Sequence, residues 1–364
     1  MAYTTIDDPS EYFTTTLYTG NATARSITND ANAGNFQPDF LWIKVRNNAN
    51  NHRMFDSSRG HAEDLKSNLT EGGEASTDRC TGFDANGFSL GNNAEVNSNT
   101  HNIVAWQWKV NGGTTSTNDA SSTGIGDIDS VIQANQTAGI SIVTYTGTDT
   151  AGETFAHGLG AVPDMVIIKR RGADGDAWAV QLATTLGNTN ALRLNETAVY
   201  GGGNGVGFWN DTSPTSTVMS LGDRAEVNSA STNTYVGYCF KSIQGYSKIG
   251  SYVGNGTGAN SAADGTFVYT GFKPAWVMAK ATTVAQGWNM FDNTRTPTNE
   301  MGAFLFADTA DAETTGYDSM DFLSNGFKLR RNLNGTNDSG QTYVYMAFAE
   351  HPFVSSKGVP TTAR

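Results

Sequence analysis

The sequence predicts an all-β protein: three tandem β-sandwich units of jelly-roll or lectin-like type, with few short helices. Three observations predict it. A short segment is written three times, as Pro38-Asp39-Phe40-Leu41-Trp42-Ile43-Lys44, Pro163-Asp164-Met165-Val166-Ile167-Ile168-Lys169 and Pro274-Ala275-Trp276-Val277-Met278-Ala279-Lys280. The residues around each copy repeat as well, in the same order. No window carries an apolar stripe at helical spacing; short apolar runs alternate with turn residues instead.

Each repeated segment is a proline, one small or acidic residue, four apolar residues and a lysine. Proline suits a strand's beginning, where a missing N–H breaks no ladder bond. An apolar run of this length, rich in Phe, Trp, Val and Ile, reads as a strand buried on both faces. Upstream stand Tyr18-Thr19-Gly20, Tyr145-Thr146-Gly147 and Tyr252-Val253-Gly254, an aromatic strand end running into a glycine turn. Downstream comes a second strand, at Met54-Phe55-Asp56, Trp178-Ala179-Val180 and Trp288-Asn289-Met290-Phe291-Asp292. Units one and three then share Asn-Gly-Phe-x-Leu, at Asn86 to Leu90 and Asn325 to Leu329. Units one and two share Leu-Gly-x-x-Ala-Glu-Val-Asn-Ser, at Leu90 to Ser98 and Leu221 to Ser229. Every unit closes on an aromatic strand, ending at Trp108, Phe240 and Phe348. Agreement of order, spacing and chemistry over a whole unit is the signature of duplication, and units of about 100 residues are large enough to hold their own cores.

Taken in order, the expected organisation is a first unit over residues 1–110, a flexible Gly/Ser/Thr/Asn linker over 111–137, a second unit over 138–243, a third over 244–353 and a tail over 354–364. Asp8-Pro9-Ser10-Glu11 is a helix-start signal, so a short N-terminal turn carrying Tyr12 and Phe13 is expected to pack on the first unit. His61-Ala62-Glu63-Asp64-Leu65-Lys66-Ser67-Asn68-Leu69 is the best second helical candidate, or otherwise a loop insertion. The 111–126 stretch has too little apolar surface to fold alone and reads as slack between units one and two, while Ile128 to Thr144 reads as further strand. Tyr200 to Gly207 reads as an exposed glycine-rich loop, and the tail as disordered or captured by a neighbouring chain.

Composition limits the function classes. The net charge of −12 argues against nucleic acid and anionic membranes as partners, since both ask for basic patches. No apolar run reaches the length of a membrane span, and Met1-Ala2-Tyr3-Thr4-Thr5 has neither the charged nor the apolar region of a secretory signal. Two cysteines, Cys80 and Cys239, stand at different places in different units, so they read as unpaired thiols.

The search for chemistry yields few candidates. Gly203-Asn204-Gly205-Val206-Gly207 and Gly254-Asn255-Gly256-Thr257-Gly258 lack the strand–turn–helix setting of a nucleotide loop. The five histidines show no zinc-ligand spacing and no nucleophile elbow occurs, so no catalytic residue, metal or cofactor is expected. Asp56 and Asp292 occupy equivalent strand ends, followed three residues on by Arg59 and Arg295. They fit a sugar or calcium site or, as duplication favours, an Asp–Arg brace holding the strand end. Asp127-Ile128-Asp129 and Asp174-Gly175-Asp176 offer oxygen ligands to Ca²⁺ without the fuller pattern of a dedicated loop. Trp209, beside the glycine-rich loop, is the candidate surface contact for a ligand.

Several phrases carry a family resemblance: Gly245-Tyr246-Ser247-Lys248-Ile249-Gly250-Ser251-Tyr252-Val253-Gly254-Asn255-Gly256, Tyr269-Thr270-Gly271-Phe272-Lys273-Pro274-Ala275-Trp276, Asp321-Phe322-Leu323-Ser324-Asn325-Gly326-Phe327-Lys328-Leu329 and Ala347-Phe348-Ala349-Glu350-His351-Pro352-Phe353. Together they resemble an uncharacterised β-rich domain of virion proteins from marine tailed bacteriophages, including those of cyanobacteria. The opening Met1 to Ser10 looks like the start of the same proteins. The resemblance implies a non-enzymatic structural component of the virion, assembled in the host cytoplasm. A tail fibre or appendage that contacts the host surface leads, and a capsid decoration protein is the alternative. A fibre role implies a homo-oligomer, a trimer by expectation, with other virion proteins and a host surface glycan as partners and no membrane insertion. A carbohydrate-binding module or glycan depolymerase is the alternative of another class.

Overall fold

The computed structural model describes residues 3–30, 34–172, 175–201, 206–256 and 264–362. Unit one contains β1 (Phe13–Thr19), β2 (Arg25–Thr28), β3 (Phe40–Val45), β4 (Arg53–Asp56), β5 (Gly60–Leu65), β6 (Glu74–Ala75), β7 (Cys80–Asp84), β8 (Gly87–Leu90), the single-turn helix α1 (Ala94–Asn97) and β9 (Asn102–Trp108). Its larger sheet has the order β1-β9-β3-β4-β5-β6, and β2-β8-β7 form a smaller sheet. The connection adds β10 (Ser116–Asn118), α2 (Ala120–Thr123) and β11 (Ser130–Asn135). Unit two follows with β12 (Ile140–Thr146), β13 (Thr154–Ala156), β14 (Met165–Arg170), β15 (Ala179–Gln181), α3 (Ala183–Leu186), β16 (Leu192–Arg193), α4 (Val206–Trp209), β17 (Val218–Ser220) and β18 (Thr234–Phe240). Unit three comprises β19 (Ser247–Val253), β20 (Phe267–Tyr269), β21 (Phe272–Ala281), β22 (Asn289–Asp292), β23 (Leu305–Phe306), β24 (Met320–Leu323), β25 (Gly326–Leu329) and β26 (Thr342–Pro352).

One antiparallel topology recurs. The first strand pairs with the last, the last with the proline-led strand, and that with the two strands after it: β1-β9-β3-β4-β5, β12-β18-β14-β15-β16 and β19-β26-β21-β22-β23. The smaller sheets, β2-β8-β7, β13-β17 and β20-β25-β24, likewise recur. The chain is all-β.

The proline-led strands are buried on both faces because each face meets a different core. Leu41, Ile43 and Val45 pack with Ile27, Phe88 and Leu90 of the small sheet, while Phe40 and Trp42 point the other way. Val166 and Ile168 against Met165 and Ile167, and Val277 and Ala279 against Trp276 and Met278, divide in the same manner. The outward sets of all three units merge into one central cluster with Trp106, Trp108, Tyr238, Phe240, Met346 and Phe348 of the closing strands. Three private cores thus surround one shared core, where each large side chain contributes about 1.5–3 kcal/mol of burial.

Several expectations are corrected. The 111–137 connection is not a flexible linker: β11 pairs along β12 from Ser130↔Tyr145 to Asn135↔Ile140, and β10 pairs with β11. β10 is the outer edge strand, whose polar residues suit a backbone satisfied by ladder bonds, while β11 lies between β10 and β12 and places Ile132, with Ile128 before it, in unit two's private core. Asp39 fixes its start, accepting from the backbone N–H groups of Val110 at 2.6 Å, Gly112 at 2.9 Å and Gly113 at 2.8 Å. Residues 61–65 lie in strand β5, not a helix, because the inward Asp64 is paired by Arg53 and Arg79. The Asp8-capped 3-10 turn (Pro9–Glu11) does form, but the N-terminal segment docks largely on unit three. Tyr3 donates to the Gly271 carbonyl at 2.7 Å, Thr4 to that of Gln244 at 2.9 Å, and Phe13 stacks on Phe348. The tail is tied down on the same chain: the Ser356 N–H donates to Asp7 at 2.6 Å, and Val354 bridges to Pro360.

Candidate functional site

The Asp–Arg pairs lie at the seams between units. Asp56 accepts the Arg59 N–H at 2.9 Å and its Nε at 2.6 Å, and Tyr238 of unit two donates its hydroxyl to Asp56 Oδ2 at 2.7 Å. Asp292 accepts the Arg295 N–H at 2.8 Å and pairs with its Nε, and Trp106 of unit one donates its indole N–H to Asp292 Oδ2 at 3.0 Å. Both carboxylates are fully buried. They sit at different seams, one joined to unit two and the other to unit one, so the brace also ties neighbouring units together.

At the third seam the equivalent positions are apolar. Register aligns Asp56 and Asp292 with Leu182, and Tyr238 and Trp106 with Met346. Leu182 and Met346 both belong to the central cluster. Where the acceptor is absent the donor is absent too, as the cost of an unpaired buried polar group demands.

A second ring of contacts runs the same way round. Trp178 donates its indole N–H to the Lys66 carbonyl at 3.0 Å, and Trp288 donates to that of Arg193 at 2.8 Å. His52 stands in the equivalent place and meets the Phe306 carbonyl through Nε2 at 2.9 Å, while its Nδ1 accepts from Trp42 at 2.8 Å. These partners make His52 the neutral Nε2–H tautomer, and burial, followed by the nearby Lys44 ammonium, holds its pKa well below the ordinary imidazole value. The lysine of each repeated segment is buried at these seams: Lys169 donates to the Thr70 carbonyl at 2.8 Å and Lys280 to that of Thr197 at 3.3 Å.

Trp209 is corrected as a surface contact residue. Its ring is 0% exposed within unit two's private core, and its indole N–H donates to the Asn190 carbonyl at 2.9 Å. Cys80 and Cys239 are free buried thiols whose pKa burial pushes up to about 12, so they stay protonated. Asp127 Oδ2 accepts the Thr154 N–H and hydroxyl, and Asp129 accepts the Ala120 N–H, which makes both turn braces. Asp174 lies outside the described residues, as do residues 202–205 of the glycine-rich loop. Among the described residues no group of three or more His, Cys, Asp or Glu side chains is arranged to hold a metal.

Accessible concave surface occurs where units and termini meet. A cleft of about 540 Å³ between units two and three is lined by Tyr3, Lys241, Gln244, Lys248, Tyr269 and Thr184, among others. Another, of about 640 Å³, lies between β1, the N-terminal turn and the end of β26, with Asp7, Asp8, Asp30 and Glu350 on its walls. In the first, the Tyr3 hydroxyl spends its proton on Gly271, so Tyr269 is the donor in the 3.1 Å contact between the two phenols.

A family profile described as a domain of unknown function, DUF7483, matches residues 8–352 and so spans all three units. The chain belongs to the DUF7483 family. No curated protein and no solved structure matches it.

Sequence reasoning missed one repeated device in this DUF7483 chain. The Asn of the Leu-Gly-x-x-Ala-Glu-Val-Asn-Ser motif organises the loop after each first strand: Asn97 Oδ1 accepts the Asn21 N–H at 3.1 Å, and Asn228 that of Thr148 at 2.7 Å. Asn337 does the same for Asn255 at 3.2 Å. One extra residue between Leu329 and Asn337 hides the third copy, although Tyr18, Tyr145 and Tyr252 all donate to the carbonyl just before this Asn.

Proposed function

We propose that the chain is a structural component of a bacteriophage particle, most simply a tail-fibre or tail-appendage module. The observation that carries this reading is the closure of three copies of one strand order around a shared buried centre. Such a body is stiff, since each unit is held by its own core and by two seams. It also brings pseudo-threefold symmetry into a single chain, which matches the end of a threefold fibre. The N- and C-terminal segments meet beside unit three, at Asp7 and Ser356, so one side of the body can be anchored while the loops elsewhere face outward. The faces a trimer would join are already joined within the chain. Any homotrimer therefore assembles through other surfaces.

The pseudo-threefold body equally fits a threefold site on a capsid, which supports decoration of the head as the second reading. Immunogold labelling of purified particles, with copy number from quantitative mass spectrometry, tests both. Label at the tail in few copies is the expected result. Label over the head in many copies selects decoration, and absence of the chain from particles overturns the proposal.

A further inference from the structure

Three copies of one strand allow the fold's needs to be separated from anything added. In β2, β13 and β20 the middle residue, Ile27, Phe155 or Val268, points into its private core. The residues on either side face outward. In unit one they are Ser26 and Thr28, and in unit two Thr154 and Ala156, where the connection covers this edge through an Ile128 to Phe155 bridge. In unit three they are Phe267, 44% exposed, and Tyr269, 55% exposed. Two sister strands fold without aromatics at these positions, so the sandwich does not require them.

The two rings share one face of β20, about 7 Å apart along the strand. Tyr269 also reaches the cleft of about 540 Å³ between units two and three. Its hydroxyl is held by Tyr3, which in turn is held by the Gly271 carbonyl. Gly271 has φ +84°, and a Cβ there would stand 2.8 Å from the Tyr3 hydroxyl. The Tyr3 contact orients the ring, and an aromatic ring with two χ angles loses little conformational entropy on stacking. Inside the cleft the polar lining is mostly uncharged, with Gln244, Ser242 and Thr184; Lys241 pairs with Asp164 at 3.3 Å, and Lys248 is an exposed donor.

We propose that this face and cleft form a binding site for a saccharide chain. Phe267 and Tyr269 present flat apolar faces to the C–H faces of successive pyranose rings. Gln244, Thr184 and Lys248 supply the donors and acceptors that sugar hydroxyls require. The cleft volume is that of an ordinary small-ligand site, and a concave, hydroxyl- and amide-lined recess beside aromatic rings suits a hydroxyl-rich ligand better than an apolar protein surface. The site stands independently of where the chain sits on a particle: saccharide binding and particle labelling can each fail without the other.

The test is a printed array of microbial polysaccharides probed with the full chain, followed by calorimetric titration of the glycan it retains. The double variant Phe267→Ser/Tyr269→Thr installs the unit-one residues, and its thermal unfolding should match the parent protein. Its affinity should fall by more than about tenfold, one decade being about 1.4 kcal/mol. Tyr269→Phe, which keeps the ring, should stay within about threefold of the parent, since one exposed hydrogen bond contributes little. No retained glycan, or equal binding by the double variant, overturns the proposal. Self-association of the parent that the double variant abolishes overturns it too, because the face would then join two copies of this chain.

Discussion

Replacing Asp56 with Leu should be among the most damaging single changes at the seams. Arg59 is fully buried, and Asp56 is its ion-pair partner. The Tyr238 hydroxyl loses its acceptor in the same step. Breaking a buried pair from one side strands the remaining charge, at about 3–5 kcal/mol. The third seam supplies the remedy, since it is built from Leu182, Thr185 and Met346 at the positions of Asp56, Arg59 and Tyr238. The triple variant Asp56→Leu/Arg59→Thr/Tyr238→Met should therefore recover to within about 1–2 kcal/mol of the parent, because an apolar replacement of a whole buried pair is often near neutral. The residual cost comes from the ring of Tyr238, which packs at 4.6 Å from that of Phe40. Equilibrium urea unfolding followed by tryptophan fluorescence measures both, and all seven tryptophans are buried reporters. A single transition is expected, as all three units share the central cluster. A triple variant as unstable as Asp56→Leu alone, or a single variant costing below about 1 kcal/mol, would refute the reasoning from matched seams.

Burial lowers the pKa of Lys44 to about 8 against the pull of Asp311 and Glu313, with Arg295 adding to the lowering, and burial likewise takes Lys280 to about 8 against Asp308. An unfolded lysine keeps its proton to about 10.4. The folded state therefore carries its full penalty below pH 8 and sheds it as pH rises, so the parent should gain roughly 2–3 kcal/mol on Lys280→Met between pH 8 and 10. Cysteine and tyrosine terms cancel in that difference, and a flat difference refutes the assignment. Gly147→Ala should destabilise by about 1–3 kcal/mol, since its Cβ would stand 2.1 Å from the Ser229 carbonyl oxygen; an unchanged denaturation midpoint would contradict the packing. Trp209→Ala should cost about 3–5 kcal/mol as a core truncation, read by thermal unfolding, with glycan retention by the folded protein unchanged.

The all-β class and the repeated strand order were legible because strand, glycine turn and closing aromatic strand recur in order. What the second face of each proline-led strand met was not legible. Alternation tells that both faces are apolar, but it does not distinguish a unit's own layer from a neighbour's. The connection over 111–137 is hard to read for a related reason: its few apolar residues, Ile128 and Ile132, enter unit two's core, and backbone pairing with the Asp39 carboxylate holds the polar remainder. Asp64 misled in the same direction, since a charged residue in the chain gives no sign that Arg53 and Arg79 will neutralise it inside. Glycine neighbours give Trp209 the look of a loop residue in the sequence, yet an indole with one backbone acceptor, Asn190, buries readily.

Where the three copies diverge, the cause can be sought inside the fold first. Asp39 and Asp164 catch the chain leaving their units, at Val110 and Ser242. Unit three has Ala275 at that place, and the segment after it is held by Asp7 through Ser356 instead. Asp56 and Asp292 face a donor across a seam, and Leu182 faces none. Ala156 lies beneath the connecting segment, and Ser26 and Thr28 are what an open strand face ordinarily carries. Each of these differences is accounted for by a neighbour within the chain. Tyr269 meets Tyr3 of the docked N-terminal segment through its hydroxyl, yet among the described residues its ring and that of Phe267 stay 55% and 44% exposed, and two exposed rings side by side are best explained by something that binds there.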